Sequence, residues 1–255
     1  MLYTNVAAIV SLLSIPLASA KPRGNTSSKR DLELTWGPLV GMGPTRDGVG
    51  IISAVSTIYP GNMPKTQPGG LYNWIGIDSP DANSDLVQGI VGSYTHGQSE
   101  CPGAEADSLW CITAEVYGTI PGTQQTNQWV GDLRALDKNP ADGITFNYTL
   151  VNQKTGLWLQ TVTNARTQEL MATFNKTSQT MTLFNTAVEC QNGCTPPVDP
   201  QYWVDTTIIL SEADEDFGST LYQSNHATNT PVTTPDNGKT WKIANITIPV
   251  VPPVA

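Results

Sequence analysis

Two histidines, His96 and His226, four cysteines and 22 acidic side chains are the groups from which acid–base or nucleophilic chemistry could be drawn in this 255-residue chain. A Ser-His-Asp arrangement would have to use one of the histidines, yet no G-x-S-x-G turn accompanies either. Both sit in polar sequence that reads as loop, Thr95-His96-Gly97-Gln98 and Ser224-Asn225-His226. No H-E-x-x-H is present, which excludes a zinc peptidase of that type. Asp78-Ser79-Pro80 departs at its third position from the Asp-Ser-Gly of two-aspartate peptidases. No phosphate-cradling glycine loop occurs, so no nucleotide cofactor is expected. Neither histidine lies at ligand spacing from the cysteines, so no metal is expected either. A glycosidase needs two carboxylates facing each other across a groove. Glu212-Ala213-Asp214 begins an E-x-D-x-x-E pattern, but its closing position is Phe217. The acidic run 212–216 reads as a solvated loop in preference to a calcium site.

What remains is residues 71–88, LYNWIGIDSPDANSDLVQ. Trp74-Ile75-Gly76-Ile77-Asp78 is followed by Gln88, fourteen positions after the tryptophan. Residues 110–118, WCITAEVYG, add Glu115 and Tyr117 two apart. This pattern resembles the core motif of the fungal glutamic peptidases, the eqolisins: a W-x-G-I-D strand, a short loop, a strand bearing the catalytic glutamine, then a strand with an E-x-Y element. The resemblance extends over most of residues 71–159. It implies a concanavalin A-like sandwich of two antiparallel sheets, of jelly-roll type, with a groove on the concave face. It also implies an acid endopeptidase acting through Gln88, a carboxylate and a water, with Trp74, Asp78 and Tyr117 at the substrate. The chemistry is sound: a glutamate acts as general base on the water, and a glutamine amide donates to the oxygen that becomes negative. Residues two apart on a strand share a face, so Leu86, Gln88 and Ile90 belong together. The alternative for Gln88 is a polar residue on a solvated strand.

The chain departs from the family where the base is concerned. The glutamate should lie on a late strand, and the segment in that position, 204–210 (VDTTIIL), has none. Asp205 precedes its apolar core and Glu212 follows it, so these two are the candidate carboxylates. Glu115 is a third, which in the family reading supports the site.

A rival reading uses the aromatic residues. Trp74, Trp110, Tyr117, Trp129, Trp158 and Trp203 are many for a chain with four Phe. On a concave sheet they could stack on sugar rings or hold an extended peptide, leaving a catalytically inactive binding protein. For each tryptophan singly, core packing is the plainer role, and Trp241 is read as core.

The elements that must position these residues are strands. Runs with period two or β-rich composition occur at 71–78, 86–94, 110–117, 144–151, 156–163, 170–174, 180–185, 204–210 and 239–248. Residues 152–156 and 175–179 read as hairpin loops, and Asp236-Asn237-Gly238 as a turn. No apolar 3.6-residue period runs for three turns. Strands of this number bury one face each by closing as a two-sheet sandwich, so 31–255 is read as a single all-β domain.

Residues 1–20 read as a secretory signal ending in Ala18-Ser19-Ala20, and 21–30 as a short basic pro-segment ending in Lys29-Arg30. The first 30 residues carry four of the 13 basic side chains and no acidic one, which leaves the body at −13. Such a body repels phosphate, so nucleic acid is not a partner. The leader's apolar run is too short to span a bilayer, and no other segment is long enough. Secretion agrees with glycosylation sequons at Asn147, Asn175 and Asn245. It also agrees with disulfide-forming cysteines: four allow three connectivities, and the loop-like sequence bracketed by each close pair favours Cys101 with Cys111 and Cys190 with Cys194. The expected protein is an extracellular monomer that meets polypeptide or glycan, without a membrane or cofactor.

Overall fold

The computed structural model describes residues 33–250 except 82, 96–100, 102–108 and 137–139. The leader, the pro-segment, His96 and residues 251–255 therefore lie outside the described residues. Within them the chain is a sandwich of two antiparallel sheets. The first runs in the order β13 (Tyr222–Ser224), β1 (Leu34–Met42), β11 (Leu183–Gln191), β3 (Gly70–Asp78), β4 (Leu86–Ser93), β5 (Cys111–Thr119) and β6 (Thr126–Val130), with β7 (Arg134–Ala135) also paired to β5. The second runs β10 (Leu170–Thr177), β9 (Leu157–Asn164), β8 (Ile144–Asn152), β2 (Ile51–Tyr59), β12 (Gln201–Leu210), β15 (Thr240–Ile248) and β14 (Thr228–Asn229). Among the described residues no helix is long and apolar enough to cross a membrane.

Alternation explains how the sheets close. Val40, Ile75, Val87, Val116 and Phe184 point from the first sheet into a shared core, and Ile58, Phe146, Trp158, Trp203 and Ile208 meet them from the second. Each such side chain contributes about 1.5–3 kcal/mol by leaving water. Phe146 and Trp203 lie 6.0 Å apart. Phe146 also packs against bare backbone at Gly89, where a Cβ would fall 2.1 Å from its ring. Trp110, Trp158, Trp203 and Trp241 are all core residues.

Two polar side chains of the second sheet cross the core to the first. The Tyr148 hydroxyl donates to the Ile75 carbonyl at 2.8 Å, and Gln160 Nε2 donates to the Glu115 carbonyl at 2.8 Å. At the sheet edges a third tie forms. Lys176 of β10 donates to the Asp85 carboxylate just before β4, and its ammonium lies 4.2 Å from the centre of the Trp129 ring on β6. Ser178 Oγ adds a 2.6 Å bond to the same carboxylate.

The hairpin expected at 152–156 joins β8 to β9, with Gly156 at φ +69°. The Asp236-Asn237-Gly238 turn is present, with positive φ at Asn237 and Gly238. The hairpin expected at 175–179 is not one. β10 is an edge strand of the second sheet, and the chain then crosses to β11 inside the first. The strand expected at 180–185 also shifts, to Leu183–Gln191. Both corrections have one cause: β11 lies between β1 and β3 with eight of its nine residues buried, so its sequence does not alternate. The disulfides are Cys101–Cys111 and Cys190–Cys194.

Candidate functional site

The outer face of the first sheet, turned away from the second, carries the residues singled out by the Trp74–Gln88 spacing. Strand register sets them in rows. Gly76 pairs with Gln88 on one side and with Asn185 on the other. Gln88 pairs with Glu115, Asn185 with Gly41, and Gly41 with Tyr222. One row thus reads Tyr222, Gly41, Asn185, Gly76, Gln88, Glu115. The neighbouring row reads Leu39, Ala187, Trp74, Ile90, Thr113. Trp74, Ile90, Leu39 and Ala187 form an apolar cluster, with Trp36, Tyr72, Leu86 and Tyr222 packed against it. Although no sheet among the described residues covers this face, its floor is recessed: Gln88 is 3% and Glu115 1% exposed.

The two glycines shape the row. A Cβ at Gly41 would lie 2.3 Å from the Tyr222 ring and 2.4 Å from Asn185 Oδ1, so only glycine lets the tyrosine lie there. At Gly76 a Cβ would meet Leu86 Cδ1 at 2.7 Å and Gln88 Cβ at 3.3 Å, so the gap between the two amides depends on its absence.

Gln88 Nε2 donates to Glu115 Oε1 at 2.7 Å. On the other side of Gly76, the Tyr222 hydroxyl donates to Asn185 Oδ1, and Asn185 Nδ2 donates to Asp78 Oδ1 at 3.4 Å. Further along β11, Gln191 Nε2 donates to Glu189 Oε1 at 2.7 Å. Burial pushes the Asp78 carboxyl up to about 7. Burial likewise lifts Glu189 to about 7, against the hydrogen bond from Gln191. Burial, with the nearby Asp78 charge, pushes the Tyr222 hydroxyl up to about 12. Below pH 5, Asp78 and Glu189 are therefore neutral acids, and a neutral carboxylic acid cannot take a proton from water.

Of the sequence-derived site residues, Gln88, Glu115, Trp74, Asp78 and Tyr117 gather on this face. Trp74 is buried and meets Trp36 in a T-shaped contact, ring centroids 6.3 Å apart. Tyr117 lies in register with Leu86. Asp205 and Glu212 are elsewhere, and their candidacy as the carboxylate at Gln88 is corrected accordingly. Asp205 is exposed on β12 of the second sheet, at a bulge with φ +54°. Glu212 is exposed beyond the end of that strand and ion-pairs with Arg46 at 3.2 Å. β12 pairs with β2 and β15, so it does not reach the outer face of the first sheet. A depression of about 650 Å³ does lie beside Asp205, lined also by Thr207, Thr230, Thr233 and Lys242, but it belongs to the second sheet. His226 is exposed in a turn.

The residues that reading by sequence missed are Asn185, Glu189, Tyr222 and Trp36. Trp36 and Glu189 are register partners, which a local pattern does not show. Among the described residues no cluster of three or more His, Cys, Asp or Glu could hold a metal.

No protein-family model and no curated protein matches the chain. Among solved structures it is similar to scytalido-glutamic peptidase with a peptide-based transition-state analogue, at 13% identity over 84% of this chain and 98% of that one, with a TM-score of 0.45. The same peptidase with a transition-state analogue inhibitor gives 12% identity, the same coverages and a TM-score of 0.44. SCP-B, a member of the eqolisin family of peptidases, in complex with the tripeptide Ala-Ile-His, gives 13%, the same coverages and 0.43. The likeness is a distant one of fold.

Proposed function

We propose that this chain is a secreted β-sandwich protein that holds an extended polypeptide on the outer face of its first sheet without cleaving it. One observation carries the reading: across Gly76 from Gln88 stands an amide, Asn185, so on that side the glutamine faces no carboxylate with which to share a water. The nearby Asp78 is neutral in acid, and the Gln88 amide already donates to Glu115.

The chemistry of the face suits a peptide. A side-chain amide has two N–H donors and a carbonyl. Gln88 spends one donor on Glu115, leaving a donor and an acceptor for a backbone peptide group. Apolar side chains in the adjoining row give alternate residues of a ligand somewhere to pack. Glycan is the weaker fit. Sugar rings stack on open aromatic faces, whereas Trp74 is buried and Trp110, Trp158, Trp203 and Trp241 are in the core. The two disulfides, with the leader, pro-segment and sequons read from the sequence, support an extracellular location.

A second reading, acid endopeptidase, is favoured by the Gln88–Glu115 contact at 2.7 Å, since these two groups would have to part only slightly to admit a water. One experiment separates the readings. A fluorescently labelled, unfolded polypeptide is incubated with the purified protein from pH 2 to 8, and both polarisation and fragment size are followed. Binding with an intact probe is expected. Cleavage that is lost in Gln88→Ala would establish the peptidase instead, and binding of oligosaccharides with no binding of the polypeptide would establish a lectin.

A further inference from the structure

Tyr202 is 40% exposed on the outer face of the second sheet, far from the site above. Its register partner on β15 is Thr247, and Asn245 pairs with Val204 two residues along, so Asn245 and Tyr202 are diagonal neighbours. Diagonal positions on a sheet face lie within reach of an aromatic side chain. Asn245 is the acceptor of the sequon Asn245-Ile246-Thr247. Its Nδ2, the atom that would carry sugar, donates to Thr247 Oγ1 at 2.9 Å and so is directed toward the residue beside Tyr202. The other sequons lack this arrangement. Asn147 pairs with Val55 and Thr161, and Asn175 with Leu159.

We infer that Tyr202 is the platform on which the first N-acetylglucosamine of an N-linked glycan on Asn245 packs. A sugar presents a face of C–H bonds that covers an aromatic ring, and the phenol is a large apolar surface with a polar tip. Covering it accounts for an aromatic left open on the sheet. The inference rests on the secretory reading above, which supplies the glycosylation.

The test uses the full chain exported from a eukaryotic host, with occupancy read from glycopeptide masses. Asn245 is expected to be occupied. Tyr202→Ala should lower Tm by about 2–4 °C more in the glycosylated protein than in an Asn245→Gln background, the shift a contact of this kind gives in a domain of this size. Tyr202→Phe keeps the ring and should behave as the parent. Trimming the glycan to its first sugar should leave the coupling intact. An equal cost of Tyr202→Ala in both backgrounds overturns the inference, as does an empty Asn245 beside an occupied Asn147 or Asn175. If the exported protein carries no glycan at all, both the inference and the glycoprotein reading fall.

Discussion

Asn185 faces Gln88 across the unadorned backbone of Gly76, in a row that runs from Tyr222 on one side through Glu115 to Val130 on the other. The gap between the two amides is where a ligand atom would reach the sheet.

Gly76→Ala closes that gap. The nearest atom to the new Cβ is the flexible end of Leu86, so the fold should survive, but Val87 O at 3.1 Å and Gln88 Cβ at 3.3 Å leave no space for a ligand. Affinity for an unfolded polypeptide should fall at least about tenfold, the equivalent of about 1.4 kcal/mol, while the urea midpoint changes little. Unchanged affinity would move the ligand elsewhere.

Asp78 and Glu189 give stability an unusual dependence on pH. Both carboxyls are raised by burial to about 7, well above the ordinary carboxylate range. The folded state therefore binds protons more tightly than the unfolded one between pH 4 and 7, and stability falls as pH rises through that window. Urea melts should show a loss of several kcal/mol, to order of magnitude, from pH 4.5 to 7.5. Asp78→Asn combined with Glu189→Gln should flatten the profile. A wild-type protein more stable at pH 7.5 would contradict it. Asp236 is held low by its bonds to Thr240, so its contribution is lost only in stronger acid.

Asn185→Asp would put a carboxyl beside Asp78, whose own carboxyl already accepts the Asn185 amide proton. Losing that donor and burying a further charge should cost about 1–3 kcal/mol at pH 7.5 and less at pH 4.5, where Asp78 is neutral and no longer repels the new carboxyl. Thermal melts at the two pH values check the sign.

Gln88→Ala removes the 2.7 Å bond to the buried Glu115 carboxyl. Leaving a buried polar group without its partner costs about 1–3 kcal/mol, so the variant should be destabilised by that amount. Equilibrium denaturation with an unchanged m-value is the measurement.

Asp85→Ala breaks the tie between the sheet edges. Its carboxylate holds Lys176 and Ser178, with the ion pair only 10% and 20% exposed. Breaking a buried pair by removing one partner costs about 3–5 kcal/mol, and the partial exposure here places the expected loss at the lower end. Hydrogen exchange should accelerate first in β10 and β6.

The legible and illegible parts of this molecule divide along strand position. β3, β4 and β5 were readable because glycines, aromatics and turn residues mark their ends, and so Trp74, Asp78, Gln88, Glu115 and Tyr117 fall together as the spacing suggests. VDTTIIL was readable as a strand, but local alternation carries no sign of which sheet a strand joins, and Asp205 was lost to the second sheet for that reason. Asn185 was hidden twice. β11 is buried on both faces, which erases the period-two signal, and its cysteine pair reads as loop. Its register against β3 is a contact across more than a hundred residues of sequence, which only the folded sheet reveals.

The bonds from Tyr148 to the Ile75 carbonyl and from Gln160 to the Glu115 carbonyl anchor the floor strands from behind. A polypeptide docking there as proposed would meet a template that is already set, and the ordering entropy of association would fall almost wholly on the visitor. Substitutions at Tyr148 or Gln160, which no ligand would touch, should therefore make recognition slower and looser by letting the host bend.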